Sequence, residues 1–267
     1  MKRIPPSLLG VGALVLTLIF GLAGQAAAGG HGDRVIVRPD HPQGWSTADT
    51  RPGGTVTFVA DSTAPAGRGA LALTTDATTA AKAQYLHAAS TPLANVTELS
   101  YYTKQNSASF AGGDASYQLV TFLNGGTSGF TTLVFEPYQN PLQGPVLPSI
   151  WQKWDVDAGL FWSTRAVTCS NGTVAGTPGG PASYTLAQIN SLCPSAVVAG
   201  FGVNIGSNNP SYNVETDLFN FNGTVYDFEP AHTCAKDDHG DKSHHKDCDG
   251  SGHHDDDNGD DTDRGDD

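Results

Sequence analysis

The chain has 267 residues, of which 27 are acidic and 14 are basic, and its formal net charge is −13. Lysine and arginine are too few to form the basic surface with which proteins bind nucleic acid, so this class of partner is excluded. The length allows one large β-domain or two small ones. Charged residues make up only 15% of the chain, and this low share suits a secreted β-protein.

The first 28 residues have the pattern of a secretory signal peptide. Lys2 and Arg3 precede the apolar stretch SLLGVGALVLTLIFGLAG, and three alanines then offer a small-residue cleavage site before Gly29. The alternative is an uncleaved membrane anchor. The apolar stretch is short for a span and is followed at once by small residues, which favours cleavage. We therefore expect a secreted, extracellular protein without a membrane span.

From Val35 to Glu229 the chain reads as short strands separated by turns. Apolar and polar residues alternate in RVIVR, TVTFVA, ALALTT, SYQLVTFL and FTTLVFE, among other segments. Clusters of glycine, proline and asparagine lie between these segments and supply the turns. About a dozen strands predict an all-β fold, a single jelly-roll-like β-sandwich over residues 29–230.

One stretch, SYTLAQINSLCP, is predicted to form a short helix within a loop. Ser183 or Thr185 can cap its start, its leucines and isoleucine fall on one face, and Pro194 ends it. A single short helix leaves the all-β class unchanged.

Four cysteines, Cys169, Cys193, Cys234 and Cys248, fit an oxidising compartment. Four cysteines allow three connectivities, and the sequence leaves all three open. Proximity along the chain favours Cys169 with Cys193 and Cys234 with Cys248. The first bond would close the glycine-rich segment SNGTVAGTPGGPASY and have a structural role.

The segment VETDLFN places Glu215 and Asp217 two residues apart, so on a strand both side chains share a face. Two such carboxylates can serve a glycoside hydrolase. The pattern is similar to the E-x-D-x-x-E strand motif of concanavalin-like β-glucanases, but Asn220 stands where that motif has its acid. The other interpretation is the polar face of an ordinary strand. Asp155 and Asp157 form a second pair of the same kind.

Aromatic side chains are concentrated in a part of the chain with few charges. Tryptophan and tyrosine rings stack on the apolar faces of sugars, while nearby amides and carboxylates bind the hydroxyl groups. Trp151 and Trp154 should face opposite sides of a strand, one in the core and one exposed. The candidate ligand-binding residues are Trp45, Trp151, Trp154, Trp162 and Tyr138.

The segments FGVNIGSNNPSYNVETDLFNFNG and VYDFE resemble the C-terminal strands of secreted bacterial jelly-roll domains, a group that includes carbohydrate-binding modules and concanavalin A-like lectin domains. The resemblance implies a β-sandwich with a sugar-binding surface, often with a structural calcium ion. Asp227 and Glu229 would be calcium ligands in that case, because hard oxygen donors suit Ca²⁺. The alternative for these two residues is a polar edge of the last strand.

Residues 231–267 form a tail rich in aspartate and histidine, and we expect it to be disordered because it has too little apolar surface to bury. Asp247, Asp249 and Gly250 match positions 3, 5 and 6 of the EF-hand loop. His245 and Asp256 stand where the loop requires aspartate and a bidentate glutamate, so a preformed calcium site is not expected.

Weak binding of Zn²⁺, Ni²⁺ or Cu²⁺ by the tail is a separate expectation, since its imidazoles and carboxylates offer many partial sites. The alternative is a solvated tail without metal. The candidate metal ligands are His244, His245, Asp247, Asp249, His253 and His254.

These observations favour a secreted, non-catalytic β-sandwich that binds a polysaccharide or a cell-surface glycan and requires no cofactor. One alternative is a glycan-active hydrolase or lyase that uses Glu215 and Asp217. The other is a structural protein of an envelope or coat, without a small ligand.

Overall fold

Two β-sheets packed face to face form the framework of residues 33–231, the part of the chain that the computed structural model describes. The strands are β1 (Arg34–Val37), β2 (Trp45–Ser46), β3 (Gly54–Ala60), β4 (Gly69–Thr75), β5 (Ala83–Pro92), β6 (Leu99–Ser107), β7 (Ser116–Phe122), β8 (Phe130–Phe135), β9 (Gln152–Asp155), β10 (Trp162–Ser163), β11 (Val167–Cys169), β12 (Gly172–Val174), β13 (Val197–Ile205), β14 (Asn213–Phe221) and β15 (Thr224–Phe228). The helices are α1 (Leu186–Leu192) and the 3₁₀ turns Leu93–Asn95, Pro137–Gln139 and Pro141–Gln143. The expected all-β sandwich is confirmed.

The seven-stranded sheet is organised around β14. One side of β14 pairs with β6, which in turn pairs with β9. On the other side, the first part of β14 pairs with β4 and its last part pairs with β15. β3 lies beyond β4, and β1 lies beyond β15. β1 and β15 are parallel, whereas the other pairs are antiparallel.

The six-stranded sheet has the order β10-β8-β7-β13-β5-β2, and its pairs are all antiparallel. β11 and β12 form a separate small hairpin. Strands that are distant in the sequence are adjacent in this sheet: β13 lies between β7 and β5. The outer face of this sheet carries the candidate site.

The core lies between the two sheets and is rich in aromatic rings. Tyr117 and Phe219 stack at 4.2 Å between ring centroids, and Phe201 and Phe221 stack at 4.1 Å. Trp45 is 3% exposed and contacts a ring of core aromatics that includes Tyr85, at 5.3 Å. Burial of such large apolar surfaces stabilises the sandwich.

The predicted helix and disulfide are both present. Thr185 caps α1 in a capping box, in which its hydroxyl accepts from the Gln188 N–H and the Gln188 side chain accepts from the Thr185 N–H. Cys169 and Cys193 are bonded, which ties the β11–β12 hairpin to the end of α1. The predicted signal peptide, the tail metal ligands and the Cys234–Cys248 pair lie outside the described residues. Within residues 33–231 no helix is long and apolar enough to cross a membrane.

Candidate functional site

A groove of about 420 Å³ lies on the outer face of the six-stranded sheet. Residues that pair across neighbouring strands point to the same face of a sheet. One such row, which crosses four neighbouring strands, runs along the floor of the groove. This row consists of Gly202 on β13, Gln118 on β7, Val134 on β8 and Trp162 on β10, of which the last three line the groove. Asn204 and Ser116 form the next pair along the strands and also line the groove.

Gly202 lets β13 pair closely with β5. A Cβ atom at this position would lie only 2.1 Å from the carbonyl oxygen of Tyr85 on the neighbouring strand β5. A larger residue would therefore force the two strands apart.

Aromatic side chains form one wall of the groove. Trp162 donates a hydrogen bond from Nε1 to Oε2 of Glu136 at 2.8 Å, and this contact fixes the orientation of the indole. Phe110 and Tyr138 pack nearly perpendicular to each other, 5.3 Å apart, and remain 51% and 40% exposed. These rings present apolar faces to the groove while being held by the protein.

Polar groups without a partner point into the same space. The side chains of Arg51, Gln118 and Asn208 line the groove and make no hydrogen bond within residues 33–231. The hydrogen bonds that Glu136 accepts from Trp162 and Gln139 both go to Oε2, which leaves Oε1 as an acceptor. Donors and acceptors are thus available beside the aromatic rings.

Two carboxyl groups in the groove have raised pKa values. Burial raises the pKa of Asp114 to about 7, although the Thr103 hydroxyl and the Ala115 N–H donate to its two oxygens and lower it. Burial also raises the pKa of Glu136, against the lowering effect of its hydrogen bonds from Trp162 and Gln139. Burial therefore reduces the negative charge that these two groups carry under mildly acidic conditions.

Of the five predicted ligand-binding aromatics, the groove contains Trp162 and Tyr138. Trp45 and Trp154 are wrong for this role, because their side chains are only 3% and 0% exposed. Trp154 instead donates from Nε1 to the Thr103 hydroxyl inside the core, at 2.7 Å. Trp151 is partly exposed whereas Trp154 is buried, as expected for two residues on opposite faces of a strand.

Trp151 belongs to a cluster on the other sheet, together with Asp61, Lys104 and Glu215. Its Nε1 donates to Oδ2 of Asp61 at 3.1 Å, and the Lys104 ammonium lies 5.3 Å from its ring centroid. Lys104 pairs with Asp61 and, at 2.7 Å, with Glu215. The lysine is thus held between two carboxylates and over an aromatic ring, an arrangement that fixes the surface of this sheet.

Glu215 and Asp217 do not form the carboxylate pair that their spacing predicts. Glu215 is held by Lys104 and by the amide of Asn106 at 2.8 Å, toward β6. Asp217 is fully buried, and its Oδ1 accepts from the Phe228 N–H on β15 at 3.0 Å. The two side chains have different partners, and neither lines the groove.

Asp227 and Glu229, the calcium ligands implied by the resemblance, are also engaged separately. Arg34 pairs with Asp227, and the Arg68 N–H donates to both oxygens of Glu229, the shorter at 3.0 Å. Ca²⁺ takes six to eight oxygen ligands. Among the described residues no group of three or more carboxylate, imidazole or thiol side chains converges. These residues do not fit a calcium site, because an arginine already neutralises Asp227.

Most of the groove residues were not identified from the sequence. Arg51, Phe110, Gln118, Glu136 and Asn208 come from five separate segments, and no short motif joins them. The two glycines in VVAGFGVNI signal a close backbone approach on β13, but neither of them lines the groove.

Comparison with known proteins finds similarity in fold. No protein-family model and no curated protein matches the chain. A family 11 carbohydrate-binding module from Clostridium thermocellum, in complex with a β-1,3-1,4-mixed-linked tetrasaccharide, is 12% identical with a TM-score of 0.41, covering 70% of this chain and 91% of that one. A family 11 module of a cellulosomal cellulase of the same organism is 10% identical with a TM-score of 0.36, over 71% and 90%. The CBM22-1 xylan-binding domain from Paenibacillus barcinonensis is 14% identical with a TM-score of 0.32, over 66% and 83%. At these values the similarity concerns the fold alone.

Proposed function

We propose that this protein is a secreted, non-catalytic carbohydrate-binding protein and that the groove on the six-stranded sheet holds a segment of polysaccharide. One observation carries the proposal: held aromatic rings and polar groups without partners line the same groove. A sugar ring needs both, because its C–H faces pack on aromatic rings while its hydroxyl groups need donors and acceptors.

Trp162 is the expected stacking platform. Its hydrogen bond to Glu136 orients the indole before a ligand arrives, so little conformational entropy is lost on binding. Oε1 of Glu136 and the amide of Gln118 lie in the same part of the groove, where they would bind sugar hydroxyl groups. Phe110 and Tyr138 extend the apolar wall.

A non-catalytic role is supported by the carboxyl group of Asp114. Both of its oxygens accept hydrogen bonds from the protein, at 2.6 and 2.7 Å, so the group is held by the protein although it lines the groove. Glu136 would then be the one carboxylate of the groove with an oxygen that accepts no hydrogen bond. Glycoside hydrolases commonly use a pair of carboxyl groups, so a single one favours a non-catalytic role. The disulfide supports export, because such bonds persist in oxidising compartments.

The test is calorimetric titration of the full chain with a panel of soluble polysaccharides, using the wild type and the variants Trp162→Ala and Tyr138→Ala. We expect at least one polymer to bind and both variants to weaken it. Trp151→Ala is the matched control, because it removes a partly exposed indole from the other sheet. Absence of binding across the panel, or equal binding by Trp162→Ala, would contradict the proposal. Release of reducing sugar that Glu136→Gln abolishes would instead support a hydrolase.

A further inference from the structure

The two ends of the groove differ in charge. Arg51 forms a bridge with Lys82 at the start of β5, whereas Glu136 directly follows β8, and β13 and β7 lie between them. Arg51 pairs with the side of β5 opposite β13, so four strand spacings of about 4.8 Å, roughly 19 Å in all, separate the two ends. This exceeds the screening length of about 8 Å at physiological ionic strength. The acidic end therefore does little to compensate the charge of Arg51.

The backbone around Arg51 is held in place. The Arg51 N–H donates to the Lys82 carbonyl at 2.9 Å, and the Arg51 carbonyl accepts from the Gly54 N–H at the same distance. The preceding hydroxyl, on Thr50, donates to the Gln84 carbonyl at 3.0 Å and accepts from the Gln84 N–H at 3.1 Å. The guanidinium thus extends from a fixed position beside β5 and not from a loose loop.

Arg51 has no carboxylate partner. Within residues 33–231, Arg34, Lys82, Lys104 and Lys153 each pair with a carboxylate. The other basic residues, Arg38, Arg51, Arg68 and Arg165, have no described carboxylate within 4.0 Å. Among these four, Arg51 alone lines the groove. A guanidinium without a partner in a recess is suited to bidentate binding of an anion.

Neutral donors lie beside it. Ser207 and Asn208 line the same end of the groove, and their side chains make no hydrogen bond within the described range. We propose that the groove selects a glycan with an acidic sugar, whose carboxylate or sulfate group binds Arg51. Glu136 disfavours a second anion at the other end, where a neutral sugar packs on Trp162. The ligand class is therefore a heteropolysaccharide with both acidic and neutral sugars, and this inference rests on the proposed function.

The experiment compares ligands that differ in charge. The full chain is titrated calorimetrically with a polysaccharide that contains uronic acid and neutral sugars, with the same polymer after carboxyl reduction, with a sulfated galactan and with a neutral β-glucan. We expect the wild type to bind the uronic acid polymer about tenfold more tightly than its reduced form, as for one charge-assisted contact. Arg51→Gln should remove this difference. Arg68→Gln is the matched control, an exposed arginine outside the groove, and should retain it.

The outcomes separate the inference from the proposed function. Preference for the sulfated galactan over the reduced polymer, lost in Arg51→Gln, supports the inference with sulfate as the anion. Equal binding of the uronic acid polymer, its reduced form and the neutral glucan overturns the acidic-sugar inference but leaves carbohydrate binding in place. Unchanged charge preference in Arg51→Gln also overturns it. Absence of binding to all four polymers overturns both.

Discussion

Asp217 and Asp227 lie on the adjacent strands β14 and β15, and both side chains are fully buried. Oδ2 of Asp217 and Oδ1 of Asp227 have no hydrogen-bond partner in the described part of the chain. A proton shared between these two oxygens would satisfy both, while Arg34 neutralises the remaining charge on Asp227. Burial, with the nearby charge of Asp227, accordingly raises the pKa of Asp217 to about 8, against a hydrogen bond from the Phe228 N–H.

This pair predicts a pH dependence of stability. The pKa of Asp217 is raised from 3.8 to about 8, so between these values the folded state holds a proton that the unfolded state releases. Stability from this group is therefore present at acidic pH and lost as the pH rises through about 8. Asp217→Asn imitates the protonated acid, so it should melt like the wild type at about pH 3, below both pKa values, and a few degrees higher at about pH 9.

Thermal unfolding followed by circular dichroism at several pH values is the measurement. Asp155→Asn is the matched control, since Asp155 is exposed and pairs with Lys153. It should leave the slope of stability against pH unchanged. A parallel curve for Asp217→Asn and the wild type would show that the shared proton is absent.

The groove predicts a graded loss of glycan affinity at Trp162. Trp162→Ala removes the stacking surface and should weaken binding about 10- to 100-fold, the range of a central aromatic contact. Trp162→Phe keeps an aromatic ring but loses the hydrogen bond to Glu136, so it should weaken binding less. Titration calorimetry measures both variants. Equal loss in the two variants would mean that orientation by Glu136, and not stacking, dominates.

The cluster around Lys104 predicts a large effect on stability. The side chains of Lys104, Asp61 and Glu215 are only 13%, 11% and 14% exposed. Lys104→Met leaves two nearly buried carboxylates without a cation, which should lower the free energy of unfolding by about 3 kcal/mol. Lys153→Met is the matched control, because its ion pair with Asp155 is exposed and should be worth about 0–1 kcal/mol.

Chemical denaturation measures the free energy of unfolding of both variants. Similar losses in the two would contradict the distinction between the buried and the exposed ion pair. The ion pair between Lys104 and Asp61 should persist in acid. Burial alone would raise the pKa of Asp61, but hydrogen bonds from Lys104 and Thr63 hold it well below its usual value. The stability that Asp61 contributes is lost only as the pH falls through that low pKa.

The disulfide predicts a loss of stability without a loss of fold. Cys169 and Cys193 are 24 residues apart in the chain, and a loop of this size corresponds to about 3 kcal/mol of stabilisation. Changing both residues to serine should lower the midpoint of guanidinium denaturation and leave the far-ultraviolet circular dichroism spectrum unchanged. An unchanged midpoint would show that the packing of α1 alone holds this segment and that the bond adds no stability.

Local features of the chain were predicted well. The capping residue Thr185, the neighbouring cysteines Cys169 and Cys193, and the alternation of short strands each depend on residues close together in the sequence. Glu215 and Asp217 also share a strand as expected. Their partners on β6 and β15 could not be foreseen, because the sequence does not state which strands become neighbours.

By itself the sequence determined the class of fold, since alternation with period two makes strands and turn residues separate them. Only the tertiary structure decided which aromatic rings face outward. Alternation places Trp151 and Trp154 on opposite faces but does not say which face is inward, and it gives no reason why Trp45 is buried while Trp162 is accessible. The pairing order β10-β8-β7-β13-β5 brings Trp162, Gln118 and Arg51 into one groove from distant segments. That order depends on packing over the whole sandwich, which no local pattern contains.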